Sequence, residues 1–168
     1  KYLYSYSDGD QHFQWSPDSK WFLVDYISVG GWNNTDIALV KADGSGEVTN
    51  LTESGYSDGD AKWVLDGKAM IWSSDRAGFR SHGSWGAERD VYIMFFDGEA
   101  YDKFRLSKEE LALVEAVENK DKDEDKTSDK DSDKKKEDKD KPVAPLKFDL
   151  ENRKDRIIRL TANSSSLG

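Results

Sequence analysis

Apolar residues fall in short runs along this chain, with turn-forming residues between them. Trp21 to Ile27 and Ala69 to Ser74 are apolar stretches rich in β-branched and aromatic side chains, as half-buried or buried strands require. Asp36 to Lys41 and Asp90 to Phe96 read as further strands, each followed by an Asp-Gly turn signal at Asp43-Gly44 and Asp97-Gly98. Trp15 and Trp63 each close a short strand, and tight turns follow at Pro17-Asp18-Ser19 and Leu65-Asp66-Gly67. Glu47 to Leu51 and Lys103 to Leu106 complete two sets as outer strands. Ser107-x-x-Glu110 ahead of Leu111, Leu113, Val114 and Val117 is a capping box and predicts a short helix. Farther on, Leu146 to Leu150 and Arg156 to Leu160 read as two strands joined by a turn at Asn152 to Lys154.

The two sets are copies of one unit. Trp15 to Lys20 aligns with Trp63 to Lys68, 48 residues on. Asp36 to Val40 aligns with Asp90 to Met94, and Asp43-Gly44 with Asp97-Gly98, both 54 residues on. Asn50-Leu51-Thr52 is matched to Arg105-Leu106-Ser107, and Tyr6 to Asp10 echoes Tyr56 to Asp60. The order of landmarks is kept while loop lengths vary. Four short strands in roughly 40 to 55 residues is the period of a propeller blade. The expected fold is therefore all-β, a partial β-propeller of four-stranded antiparallel blades. Residues 1–107 supply two blades, the first incomplete on its N-terminal side. Residues 108–142 supply the helix and a charged disordered insertion, and residues 143–168 supply strands of a further blade.

Composition changes the picture in one place. Charged residues are 35% of the 168-residue chain and aromatic residues 12%, a pairing unusual for one uniform sequence. Asn119 to Lys141 explains it, with 9 Lys and 10 acidic residues and no apolar side chain. Such a run cannot offset its ordering entropy by burial and is expected to be solvated. It nets −1 of the total −9, so the remaining −8 belongs to the patterned sequence. That acidity argues against nucleic acid and against anionic membranes as partners. The absence of Cys excludes disulfides, thiolate metal sites and a Cys nucleophile. The chain starts at Lys1 and stops at Gly168 without evident stop signals, and reads as a fragment. A six-bladed ring of about 45 residues per blade needs roughly 270 residues. Open sheet edges make self-association into a homo-oligomer an expected behaviour.

The repeat resembles that of TolB, tricorn protease and prolyl-oligopeptidase propellers. The resemblance rests on Trp15 to Lys20, Asp36-Ile37, Asp43-Gly44 and Leu51-Thr52. In the second copy it rests on Trp63, Asp66 to Lys68, Ser73-Ser74-Asp75-Arg76, Asp90-Val91-Tyr92 and Asp97-Gly98. Val64-Leu65 replaces the family's Ser-Pro in that copy. The charged insertion followed by Leu146 to Leu150 and Asp155 to Leu160 is similar to large bacterial tricorn-like serine proteases, in which a propeller precedes a PDZ domain and a protease core. That resemblance implies a periplasmic or secreted protein whose propeller guides or gates polypeptide toward its own downstream core. No catalytic residue within this chain is implied. A TolB-like binding scaffold without enzyme activity, and the propeller of a prolyl-oligopeptidase-type hydrolase, are the alternatives.

Candidate chemistry is sparse. No cofactor site is indicated. His12 and His82 are the two histidines. Ser81 or Ser84, His82 and Asp90 are the members from which a triad can be drawn, without a strained nucleophile turn. Asp121-x-Asp123-x-Asp125 begins like a calcium loop but has Lys126 where Gly is needed and Ser132 where Glu is needed. Asp129 to Asp133 fails likewise, with Lys134 at the Gly position. No metal site is expected. The Asp8-Gly9-Asp10 and Asp58-Gly59-Asp60 echoes read as turns between blades. Trp15, Trp63 and Trp72 read as core, and Trp32 and Trp85 as exposed contacts. The loop Gly78 to Arg89 is the candidate binding segment, with Arg80, His82 and Trp85 placed to touch a peptide or the protease core.

Overall fold

A computed structural model describes residues 12–28, 34–80, 86–124 and 144–166, the side chains of 119–124 excepted. It is mostly β, with two antiparallel four-stranded sheets and two helices. The first sheet orders β1 (Phe13–Trp15), β2 (Trp21–Ile27), β3 (Thr35–Lys41) and β4 (Val48–Asn50) in sequence. It therefore has four strands among the described residues. The second orders β5 (Asp58–Val64), β6 (Ala69–Ser74), β7 (Asp90–Phe95) and β8 (Ile157–Arg159).

The two-residue period of each strand divides its side chains between two faces. Phe22 pairs with Val40, Leu23 with Leu39 and Val24 with Ala38. Leu23, Ile37, Leu39 and Leu51 from the first sheet join Ala61, Met70, Trp72, Tyr92, Met94 and Phe96 from the second in one buried cluster. Phe22, Val24, Ala38 and Val40 form a second cluster on the opposite face of the first sheet. Among the described residues Trp72 is the largest fully buried side chain. Truncating such a residue to Ala costs about 3–5 kcal/mol.

The two β-turns differ as their sequences do. In the first, Asp18 accepts from the Ser16 hydroxyl at 2.6 Å and from Lys20 N at 3.2 Å, with Ser19 at a φ of 56°. In the second, where Val64-Leu65 stands, Leu65, Asp66 and Gly67 all take positive φ. Lys68 N closes that turn on Leu65 O at 3.0 Å.

Three expectations are corrected. Lys103 to Leu106 is not an outer strand: Gly98–Arg105 forms helix α1, and Lys108–Glu124 forms helix α2. The outer position of the second sheet is taken by β8, paired Tyr92 with Arg159, Ile93 with Ile158 and Met94 with Ile157. Ile157 to Arg159, expected in a further blade, therefore lie in the second sheet. Third, Leu146 to Leu150 is not a strand. It is an irregular strap, held by Leu146 N on Asp18 Oδ2 at 2.9 Å and Asp149 N on Phe96 O at 2.9 Å. Phe148 packs at 5.2 Å from the Trp21 ring, 6.0 Å from Trp63 and 5.2 Å from Phe96. Arg153 continues the strap, donating to Leu51 O, Asn50 O and Leu150 O.

Residues 99–142 form a compact unit of their own. The capping box is present in both directions. Ser107 N donates to Glu110 Oε2 at 2.9 Å, and Glu110 N donates to Ser107 Oγ at 3.3 Å. Lys103 pairs with Glu99 at 3.0 Å and Glu118 at 2.7 Å. α2 carries helix into the first residues of the charge run, through Glu124. The rest of the run lies outside the described residues.

Candidate functional site

The polar side chains gather at one end of the sheets, where β3, β5 and β7 begin and β6 ends. Two carboxylates there are equivalent. Asp36, second in β3, accepts from Asn50 Nδ2 at 2.8 Å, Thr52 Oγ1 at 3.0 Å, Ser54 N at 3.0 Å and the Ser28 hydroxyl. Asp90 opens its strand and accepts from Thr161 Oγ1 at 2.6 Å, Ser164 Oγ at 2.8 Å and Arg159 Nε at 3.0 Å. The threonines serve identical second bonds, accepting from Ile37 N at 3.1 Å and Val91 N at 3.3 Å. The partner of Asn50-Leu51-Thr52 is thus Arg159-Leu160-Thr161, not Arg105-Leu106-Ser107. Burial pushes both carboxyls up, but the hydroxyl, amide and guanidinium donors outweigh it and hold each below the usual carboxylate range.

Between them lies Asp58, fully buried. Arg76 Nη2 reaches both of its oxygens at 3.3 and 3.2 Å, and Ser54 Oγ donates to it at 2.7 Å. The Arg76 guanidinium lies 4.8 Å from the Tyr92 ring centre and 5.5 Å from that of Trp72. That stacking gives the partly buried cation a second attraction beyond the ion pair.

The candidate loop springs from this end. Its base is tight: Arg80 bridges Ala87 antiparallel, and Glu88 N donates to Phe79 O at 2.8 Å. A Cβ on Gly78 would lie 2.0 Å from Glu88 O, so only glycine allows this approach. Of the three expected binding residues, Arg80 is described, while His82 and Trp85 lie outside the described residues. Arg80 Nε binds the buried Asp75 at 2.9 Å, and its guanidinium sits 5.6 Å from the Tyr56 ring centre. Asp75 also accepts from Ser57 N at 2.9 Å. Phe79 beside it is 71% exposed. Arg89 closes the loop, donating to Ser73 Oγ at 2.9 Å and Ser57 Oγ at 3.5 Å.

A cleft of about 440 Å³ is lined by His12, Asp60, Lys62, Ile71, Ser73 and Val91. Ser73 Oγ lies 3.2 Å from both Gly59 O and Asp60 Oδ2. Sequence reasoning did not single out Arg76, Asp75 or Arg89, although Ser73-Ser74-Asp75-Arg76 was visible as part of the repeat. Ser81 and Ser84, which a triad would need, lie outside the described residues. Among the described residues no group of three or more His, Asp or Glu is placed to hold a metal. No described helix is long and apolar enough to cross a membrane. The base of the loop holds Arg80 on Asp75 and leaves Phe79 exposed beside it. No family model, no curated protein and no solved structure matches this chain.

Proposed function

We propose that the two sheets are neighbouring blades of a β-propeller, and that this segment is a non-catalytic surface holding polypeptide for a tricorn-like serine-protease core. The observation that supports it best is the repeated brace. Asp36 with Thr52, and Asp90 with Thr161, tie the third strand to the fourth by the same bonds in both sheets. Packing of the two sheets around one apolar cluster is the arrangement that stacked blades adopt. The binding part is the loop from Gly78 to Arg89, whose base fixes Arg80 on Asp75 and whose sequence carries His82 and Trp85. The occupant is unfolded polypeptide, in a periplasmic or secreted setting, as the family resemblance implies.

The test is a titration of a fluorescently labelled, permanently unfolded polypeptide into the 168-residue chain, read by anisotropy. Saturable binding that weakens about tenfold in Trp85→Ala is expected, an aromatic contact being worth about 1–2 kcal/mol. Absence of saturable binding, or equal binding by Trp85→Ala and His82→Ala, overturns the loop assignment. The protease assignment is tested separately, by sequencing the frame beyond Gly168 and assaying its intact product. Peptidase activity there, and none in this segment, is expected. A frame that only closes the propeller would make the protein a scaffold.

A further inference from the structure

Among the described residues the two sheets meet chiefly through β5. Its Ala61 and Trp63 pack in the cluster that holds Leu23, Ile37 and Leu39 of the first sheet. Polar bonds fix it there. Trp63 Nε1 donates to Gln14 O at 3.3 Å, Asp60 N to Asp25 Oδ2 at 2.9 Å, and Thr35 Oγ1 to Asp58 O at 2.6 Å. The receiving face thus belongs to β1, β2 and β3, and its Leu23 and Ile37 are 0% exposed.

The repeat gives both sides of this contact a counterpart. Gln14 opposite Leu23 corresponds to Lys62 opposite Ile71, and Trp15 opposite Phe22 to Trp63 opposite Met70. Asp25 opposite Ile37 corresponds to Ser73 opposite Val91. The counterpart of the receiving face is therefore Lys62, Ile71, Ser73 and Val91, and all four line the cleft of about 440 Å³. Ile71 and Val91 are only half-buried, unlike Leu23 and Ile37. The counterpart of β5 is β1, whose Phe13 and Trp15 are 57% and 53% exposed. Phe22, Val24, Ala38 and Val40 behind them are already buried, so the edge strand is the part open to a partner. Neighbouring exposed aromatics on an edge strand mark a contact surface. Phe13 stands where β5 has Ala61, and a cleft of this volume has room for the larger ring.

We propose that the cleft receives β1 of a second copy of this chain, head to tail, as the first sheet receives β5 within one copy. Trp15 Nε1 then donates to Lys62 O of the second copy, and Phe13 and Trp15 cover its Ile71 and Val91. Such an interface is heterologous. Each copy keeps one β1 and one cleft, so assembly closes into a ring or continues. The inference rests on the reading of the two sheets as like units, and not on the polypeptide or the protease.

Sedimentation of the unsubstituted chain from about 1 to about 100 μM covers the range of a weak interface. Concentration-dependent association is expected, with NOEs from the Trp15 indole proton of a labelled copy to Ile71 and Val91 methyls of an unlabelled one. Trp15→Ala and Ile71→Glu should each weaken association about tenfold or more. Mixed in equal amounts, the two folded variants share one intact β1 and one intact cleft, and should form a dimer that does not grow. A monomeric unsubstituted chain overturns the inference. So does association without those NOEs, or a mixture of folded variants that stays apart. The first two readings come from the unsubstituted chain and stand even if a variant fails to fold. Failure of the like-unit reading has a different sign: the Trp63 indole proton would exchange freely in the single copy, where its bond to Gln14 O predicts protection.

Discussion

Replacing Asp90 by Ala removes the acceptor on which three side chains of the second sheet converge. Thr161 Oγ1, Ser164 Oγ and Arg159 Nε all donate to a carboxylate that is fully buried. Hydrogen bonds to a charged group contribute about 1.5–3 kcal/mol each, but the three are not additive here. Arg159 is partly exposed and can turn to water, and Thr161 keeps its bond from Val91 N. The loss is closer to that of breaking one buried ion pair, about 3–5 kcal/mol. For a chain of this length each kcal/mol moves the melting temperature by about 2–4 °C. A fall of about 6–20 °C is therefore expected, with a matching fall in the urea midpoint. Asp90→Asn keeps the shape and one acceptor and should lose about half as much. Asp43→Ala is the control. That carboxyl is held down to about 2 by Ser45 and Lys41 but is exposed, and its loss should leave the melt unmoved. A change below about 1 kcal/mol in Asp90→Ala, within the range of an ordinary surface substitution, would refute the brace as a structural element.

Acid should weaken the fold. Asp18, Asp36 and Asp90 are all held below the usual range, so the unfolded chain binds more protons than the folded one as pH falls. Their contribution is complete above about pH 5 and is lost through about pH 4 and below. Asp25, pushed up by burial, works in the opposite sense and only partly offsets the loss. Urea midpoints equal at about pH 6 and about pH 3.5 would contradict this. Gly78→Ala forces Glu88 O away from a 2.0 Å approach. It should cost about 1–3 kcal/mol as an overpacked contact and raise amide exchange at Phe79 and Glu88, whereas unchanged exchange would mean the base is not closed. Replacing residues 99–142 by about ten Gly/Ser residues, which span roughly 17 Å on average, should leave a cooperative melt. Loss of that melt would show that the helical unit is needed for the second sheet.

The strands Trp21 to Ile27 and Ala69 to Ser74 were legible as short apolar runs bounded by turn-forming residues. The repeat was legible too, through Asp36 and Asp90, since one carboxylate at the same strand start makes the same bonds. The misreading came at the outer strand. Lys103 to Leu106 stood at the expected distance, yet it begins no Leu-Thr pair. The true counterpart, Leu160-Thr161, carries that pair and lies beyond the insertion. Leu146 to Leu150 showed strand-like alternation because an extended strap also turns alternate residues inward, with Phe148 and Leu150 packed on the core and no ladder beside them. At the loop, no sequence pattern pairs Arg80 with Asp75, because the turn at Gly78 creates that contact. Asp25 on Asp60 was equally invisible, since 35 residues and a sheet boundary separate them.

The most direct measurement is a set of interstrand NOEs between backbone protons of Tyr92 to Met94 and those of Ile157 to Arg159 in the intact chain. An antiparallel β8 closing the second sheet predicts cross-peaks for Tyr92 with Arg159, Ile93 with Ile158 and Met94 with Ile157. Cross-peaks from Tyr92 to Met94 onto Lys103 to Leu106 instead, with helical contacts missing there, would contradict the account. The insertion would then follow a completed second unit instead of dividing it.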